Sequence, residues 1–196
     1  MATRRGPRFK ECRRLGVNVC GHPKAMNRAV SEERSRKKLS EYALQLREKQ
    51  KIKAYYGIFE KQLRNYFAKA QRVRTGTTGD VLLCMLEKRL DNIVYRAGFA
   101  NSIRMARQLV SHGHILVNGK RVNLPSYQLQ VGDEIALNEK SRSNEHFTGM
   151  FTDALSTVPY IDRNKENYSA KLTREPERAE LPIEVQDRMV VEFYSR

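Results

Sequence analysis

Arg89-Leu90-Asp91-Asn92-Ile93-Val94-Tyr95-Arg96-Ala97-Gly98-Phe99 opens the stretch, running on to Leu137, that decides the fold. It predicts a short amphipathic helix with a glycine near its end. Arg104-Met105-Ala106-Arg107-Gln108-Leu109-Val110 predicts a second helix, with Ser102 placed to cap its first turn. His114-Ile115-Leu116-Val117-Asn118-Gly119-Lys120-Arg121-Val122-Asn123 then predicts two short strands around Asn-Gly, a turn whose two residues must accept positive φ. A two-residue turn pairs Val117 with Lys120, Leu116 with Arg121 and Ile115 with Val122, which places Ile115, Val117 and Val122 on the core side. Tyr127, Leu129 and Val131 alternate as a further strand, Gly132-Asp133 turns, and Glu134-Ile135-Ala136-Leu137 returns. Arginines are spread along all of it, as in a compact nucleic-acid-binding unit.

Charge carries the same message outward. The 196 residues have a formal net charge of +15, which points to a polyanionic partner. The excess sits early: residues 1–75 hold 21 Lys/Arg against 6 Asp/Glu, whereas residues 126–196 hold 9 against 13. Three cysteines, an odd number, form no disulfide framework and suggest a reducing, cytoplasmic compartment. The N-terminus has no apolar core of a signal peptide, and no run approaches the ~18 apolar residues of a membrane span. No membrane partner is expected.

Residues 1–38 are basic, with little periodic apolar signal, and are expected to gain order only against a partner. Leu39, Tyr42, Ala43 and Leu46, then Ile52, Tyr56, Phe59, Leu63 and Tyr66, form a helical stripe that Gly57 divides into two helices. Most of these aromatics are expected in the core, with stacking on bases the less favoured role. Arg74-Thr75-Gly76-Thr77-Thr78-Gly79-Asp80 lacks the spacing and Lys-Ser/Thr ending of a nucleotide-binding loop; it reads as a linker that starts a helix at Val81. Leu82, Leu86, Leu90 and Ile93 form that helix's buried stripe, leaving Lys88, Arg89 and Arg96 for rim or solvent. Residues 138–175 are weakly patterned, and Met189 to Tyr194 predicts a terminal strand or packed tail.

The fold class expected is α+β: a helical, basic first domain and two helices packed on a small antiparallel sheet. The boundaries expected are a basic arm over 1–38, a helical domain over 39–88, the helix–hairpin unit over 89–155, and a segment over 156–196 returning to the first domain. Catalysis is not expected, because no serine, cysteine or carboxylate pair stands in a recognisable motif. Cys12, Cys20 and His22 invite zinc, but structural zinc takes four ligands, usually in close pairs. No cofactor is expected. His112 and His114 read as a helix end and a strand start.

Arg89-Leu90-Asp91, Gly98, Ser102, Ala106-Arg107-Gln108-Leu109-Val110, His112, Val117-Asn118-Gly119 and Gly132-Asp133 resemble the alpha-L RNA-binding domain. Gly6-Pro7-Arg8, Arg13-Arg14, Leu39-Ser40-Glu41-Tyr42, Gln45 to Lys51, Tyr56-Gly57, Arg64-Asn65-Tyr66, Thr78-Gly79 and the ending Pro176-Glu177-Arg178 through Glu192-Phe193-Tyr194-Ser195-Arg196 extend the resemblance to the family of small-subunit ribosomal protein four. That resemblance implies binding to a five-way junction in the 5′ domain of 16S-type rRNA early in subunit assembly. It also implies small-subunit ribosomal proteins three and five as neighbours, a part in translational accuracy, and a place beside the channel where messenger RNA enters. The alpha-L domain would be inserted into a first domain to which the tail returns. Combined with the charge pattern, it nominates as rRNA contacts Arg4, Arg5, Arg8, Lys10, Arg13, Arg14, Lys49, Lys53, Lys61, Arg64, Arg72, Arg89, Arg104, Arg107, His112, His114, Lys120 and Arg121. Arg36 and Lys38 are the candidates for the messenger channel. The family's Pro-Gly-Gln-His-Gly segment is replaced by Ala29-Val30-Ser31-Glu32-Glu33, and an arginine after Ser102 by Ile103. Some members hold zinc on four N-terminal cysteines, of which only Cys12 and Cys20 remain. The competing readings are a free-standing RNA chaperone on the same module, an RNA-modifying enzyme, and a carrier for acidic proteins.

Overall fold

A computed structural model describes residues 6–28, 39–154 and 158–195. The chain divides into two units, one made of residues to Leu82 together with Pro182 onward, the other of Leu83–Leu181.

In the first unit α1 (Arg8–Leu15) buries Cys12 and Leu15 and ends at Gly16, whose φ of 76° takes the left-handed conformation that glycine permits. Cys12, Leu15, Val19 and Ala25, bordered by Phe9, Val17, Cys20, Ala54 and Tyr55, make a small core of their own. The described part of the arm is thus ordered within the chain itself, contrary to expectation: its few apolar residues are spaced to meet across one chain reversal. α2 (Glu41–Tyr55) starts at Ser40, whose hydroxyl accepts from Ala43 N at 3.3 Å. Gly57, at φ 60°, turns the chain into α3 (Glu60–Ala70).

The expected stripe is buried at Ile52, Tyr56, Leu63 and Tyr66, but the rest of the buried face of α2 is polar. It comprises Gln45, Glu48 and Lys49, while Tyr42 is 53% exposed and Leu39 and Phe59 also face solvent. The reason lies far along the chain. Met189 to Tyr194 belongs to a helix, α9 (Asp187–Tyr194), which packs on α2. It meets that face with polar groups: Gln45 Nε2 donates to Glu192 Oε2 at 3.3 Å, and Glu48 Oε2 accepts from Gln186 N at 2.9 Å. Glu60 collects Lys49 Nζ at 3.0 Å, Lys53 Nζ at 2.9 Å and the Tyr194 hydroxyl at 2.8 Å. Buried charge is tolerated here because it is paired.

α4 (Thr78–Glu87) starts three residues before Val81, with Thr77 Oγ1 accepting from Asp80 N at 3.1 Å. In the second unit, α5 (Leu90–Arg96) and α6 (Ile103–Ser111) pack together, and Ser102 Oγ caps α6 by accepting from Met105 N at 3.3 Å. The hairpin of β1 (Ile115–Val117) and β2 (Lys120–Arg121) turns on Asn118 (φ 49°) and Gly119 (φ 75°), with the expected pairs Val117–Lys120 and Leu116–Arg121. β3 (Glu134–Leu137) pairs antiparallel with β1. Tyr127 to Val131 is not a strand. Leu129 is buried as expected, but Tyr127 and Val131 are exposed, and the segment meets Arg89 through an isolated bridge at Gln128 instead of a strand ladder.

The weakly patterned tract is ordered: α7 (Glu139–Arg142), α8 (Glu145–Asp153), β4 (Ile161–Asn164) and β5 (Ser169–Leu172). These strands complete a five-stranded sheet in the order β2-β1-β3-β5-β4. The inserted unit therefore runs to Leu181 and not to 155, because β5 hydrogen-bonds directly to β3. Phe99 and Phe151 stack at 4.2 Å between ring centroids in its core.

Candidate nucleic-acid interface

Two carboxylates organise the centre of the inserted unit. Asp91, with no solvent exposure, accepts from Arg89 Nε at 3.0 Å and Arg89 Nη2 at 2.8 Å, and from Arg107 Nε at 3.0 Å and Nη2 at 2.6 Å. Glu87, equally buried, accepts from Arg96 Nη2 at 2.9 Å, from the Tyr160 hydroxyl at 3.0 Å and from Asn92 Nδ2. Burial, and then the Glu87 charge, push the Tyr160 phenol well above its ordinary range, so it stays a hydrogen-bond donor. The Arg89-Leu90-Asp91 signature is therefore structural. Arg89 is 1% exposed and presents no guanidinium to a phosphate, contrary to its nomination as an rRNA contact. A period-3.6 reading put it at the rim, but the Asp91 carboxylate two residues on turns it inward. Arg107 is half-buried and bound to the same carboxylate.

Around this centre the basic groups reach outward. Lys120 and Arg121 are exposed on β2, and His112 is exposed at the end of α6. Arg121 Nη2 donates to the His112 carbonyl at 3.0 Å, a cation at the negative end of a helix. It crosses Gly113 (φ 75°), where a Cβ would collide with the Arg121 side chain. His114, half-buried, shares a hydrogen bond between Nδ1 and Ser141 Oγ at 2.9 Å, and its ring lies 5.1 Å from that of Phe147. Burial, with the charges of His112 and Arg121, lowers its pKa, leaving it neutral near pH 7. Arg104 is half-buried at the start of α6.

The first unit offers a separate basic surface. Lys10 and Arg14 are exposed on α1, with Arg8 and Arg13 half-buried beside them. Lys61 and Arg64 stand one turn apart on the solvent face of α3, opposite Leu63, Tyr66 and Phe67, and Arg72 follows in the turn beyond. Lys49 is only 6% exposed and, with Lys53, is committed to Glu60, so the nomination of Lys49 as a direct contact does not suit its place. Arg47, which the sequence pattern did not single out, is exposed on α2. It lies opposite Gln45, Glu48 and Lys49, a relation legible only once those polar residues are known to face inward. Arg4, Arg5, Arg36 and Lys38 lie outside the described residues.

Among the described residues no three of His, Cys, Asp and Glu gather into a metal-binding group, and no helix is long and apolar enough to cross a membrane. Two helices on an antiparallel sheet, held by buried arginine–carboxylate pairs beneath an outer basic rim, define the S4-domain class, and residues 88–135 match the S4 domain family. Residues 3–87 match the ribosomal protein S4/S9 N-terminal domain family. Over 199 aligned positions the sequence is 56% identical to small ribosomal subunit protein uS4 of Finegoldia magna, with the whole of both chains covered. It is 49% identical over 196 positions to small ribosomal subunit protein uS4B of Clostridium acetobutylicum, again with both chains fully covered. The chain belongs to the small ribosomal subunit protein uS4 family, a structural family and not one of enzymes.

Proposed function

We propose that this chain is an rRNA-binding constituent of the small ribosomal subunit that uses two basic surfaces to hold the 5′ domain of 16S-type rRNA. One observation carries the reading: the chain buries its signature arginines against carboxylates while Lys10, Arg14, Lys61, Arg64, Arg72, Lys120 and Arg121 remain at or near the surface. A stable, internally neutralised scaffold that displays cations is suited to phosphate contact, in which each cation releases counterions. Arg121, oriented by the His112 carbonyl, and Lys120 beside it are the foremost contacts in the inserted unit. Lys61, Arg64 and Arg72 fill that role in the first.

By family resemblance, the proposal extends to binding a five-way junction early in assembly and thereby nucleating the subunit. It extends also to contacts with small-subunit proteins three and five, to translational accuracy, and to the channel where messenger RNA enters, with Arg36 and Lys38 as the contacts. The cytoplasm is the proposed compartment, with an organelle ribosome the alternative, and no cofactor is required. The test is filter binding of the full-length protein to an rRNA fragment carrying the junction and to an unrelated duplex of equal length, at matched salt. Much tighter binding to the junction is expected. Equal affinity for both RNAs overturns the specific assignment and leaves the chaperone alternative.

A further inference from the structure

Cys12 and Cys20 bring their sulfurs to 3.4 Å. The approach is built by the backbone: Gly16 N donates to the Cys12 carbonyl at 2.9 Å as α1 ends, and the chain doubles back so that Val19 enters the same small core. Asn18 Oδ1 stands 3.5 Å from Cys20 Sγ and 4.0 Å from Cys12 Sγ, accepting from both thiols. Asn18 is itself held by donating from Nδ2 to the His22 carbonyl at 3.1 Å.

Zinc, which the family resemblance brings to these positions, does not fit. Two thiolates on one tetrahedral zinc stand about 3.8 Å apart, and a structural site needs four ligands. Here the sulfurs are closer, and the next polar atom is an amide oxygen. His22 Nδ1 accepts from Lys24 N at 3.1 Å, and among the described residues no third ligand of the usual kinds joins the pair. What remains is a dithiol whose sulfurs need to close by about 1.4 Å to reach bonding distance.

We propose that Cys12 and Cys20 form a reversible oxidation site, closing to a disulfide when the protein meets hydrogen peroxide. Cys20 is half-buried and Cys12 wholly buried, so Cys20 meets the oxidant. Its sulfur attacks one peroxide oxygen, the O–O bond breaks, and a Cys20 sulfenic acid and one water result. The Cys12 sulfur then attacks the Cys20 sulfur, and the S–O bond breaks. The departing hydroxide takes the Cys12 proton as a second water. Two thiols are oxidised, one peroxide is reduced to two waters, and a thiol reductant reverses the change. Burial, reinforced by the hydrogen bond with Cys20, raises the Cys12 pKa and keeps it a thiol until that second step. The closed ring pins the last turn of α1, which bears Arg13 and Arg14, to the turn after it. This site is independent of the RNA reading, and each stands if the other fails.

The experiment treats the reduced, full-length protein with a small excess of hydrogen peroxide, blocks remaining thiols with N-ethylmaleimide in denaturant, and maps peptides by mass spectrometry. Cys84, in the other unit, is the internal reference. Expected is a Cys12–Cys20 linkage, with alkylation of both falling by at least an order of magnitude relative to Cys84 and recovering with dithiothreitol. In Cys12→Ser, Cys20 should accumulate as sulfenic acid that dimedone traps, whereas the native sequence should trap little. Three outcomes overturn the proposal: equal alkylation of all three cysteines, linkage to Cys84 or between chains, or native protein carrying one zinc per chain that peroxide does not release.

Discussion

Asp91→Ala is expected to be among the most damaging single changes in the inserted unit, although it removes only a small side chain. Asp91 is inaccessible and neutralises both Arg89, itself 1% exposed, and the half-buried Arg107. Removing one member of a buried ion pair costs about 3–5 kcal/mol, because a desolvated charge loses its compensation. Arg107 has a route to water, so the cost concentrates on Arg89. Arg107→Ala, which leaves the Arg89–Asp91 pair in place, should cost about 1–3 kcal/mol. For a unit of this size, with a urea dependence of about 2 kcal/mol per molar, a loss of 4 kcal/mol moves the midpoint by about 2 M. Hydrogen exchange read by mass spectrometry under increasing urea separates the two units: amides of α5 and α6 should lose protection and those of α3 should not. Protection in α5 within about 0.5 kcal/mol of the native sequence would refute the reasoning. Arg107→Glu follows the same logic. It sets a second carboxylate against Asp91, so its loss of RNA binding would report unfolding and not a missing contact.

Lys120→Ala with Arg121→Ala, both exposed, should leave the unit folded and weaken junction RNA binding; the slope of log affinity against log salt should fall by about 2. An unchanged slope removes this face from the interface. Gly113→Ala should cost about 1–2 kcal/mol in thermal unfolding, from its positive φ and the displacement of Arg121; an unaltered midpoint would contradict the packing described. Glu60 gives a pH signature. Burial raises its pKa, but hydrogen bonds from Lys53, Lys49 and Tyr194 outweigh that and hold it at about 2. A carboxyl depressed on folding adds stability that is complete above about pH 5 and lost as pH falls through about 2. Since Glu60 is a third exposed, solvent screening limits this to about 1–2 kcal/mol. Glu60→Gln should flatten that part of the stability–pH curve.

The legible parts of the sequence were those in which local chemistry decides. Asn118-Gly119 set the hairpin register and Ser102 the start of α6, because a turn or a cap is satisfied within a few residues. Where partners are distant, the pattern misled. α2 turns Glu48 and Lys49 inward because Gln186, more than a hundred residues on, donates to Glu48, while Glu60 of α3 and the Phe193 ring of α9 receive the Lys49 ammonium. β4 and β5, Ile161-Asp162-Arg163-Asn164 and Ser169-Ala170-Lys171-Leu172, are too polar and short to signal strands by themselves; they form because β5 pairs with β3, and β4 with β5. The candidate interface divides the same way. Charge totals say which parts of the chain are rich in cations, but cannot tell Arg121, held outward by a backbone carbonyl, from Arg89, drawn inward by a carboxylate.

The pairing of α2 with α9 also has a bearing on how this chain is made. α2 and α3 leave the ribosome early, yet Gln45, Glu48 and Glu60 await Glu192, Gln186 and Tyr194, which are synthesised more than a hundred residues later. At about 5–20 residues per second, the interval between α3 and α9 is roughly 6–25 s. The intervening unit, Leu83–Leu181, is fully synthesised within that time and contains its whole sheet. The intervening unit can thus be native while α2 and α3 still wait for α9.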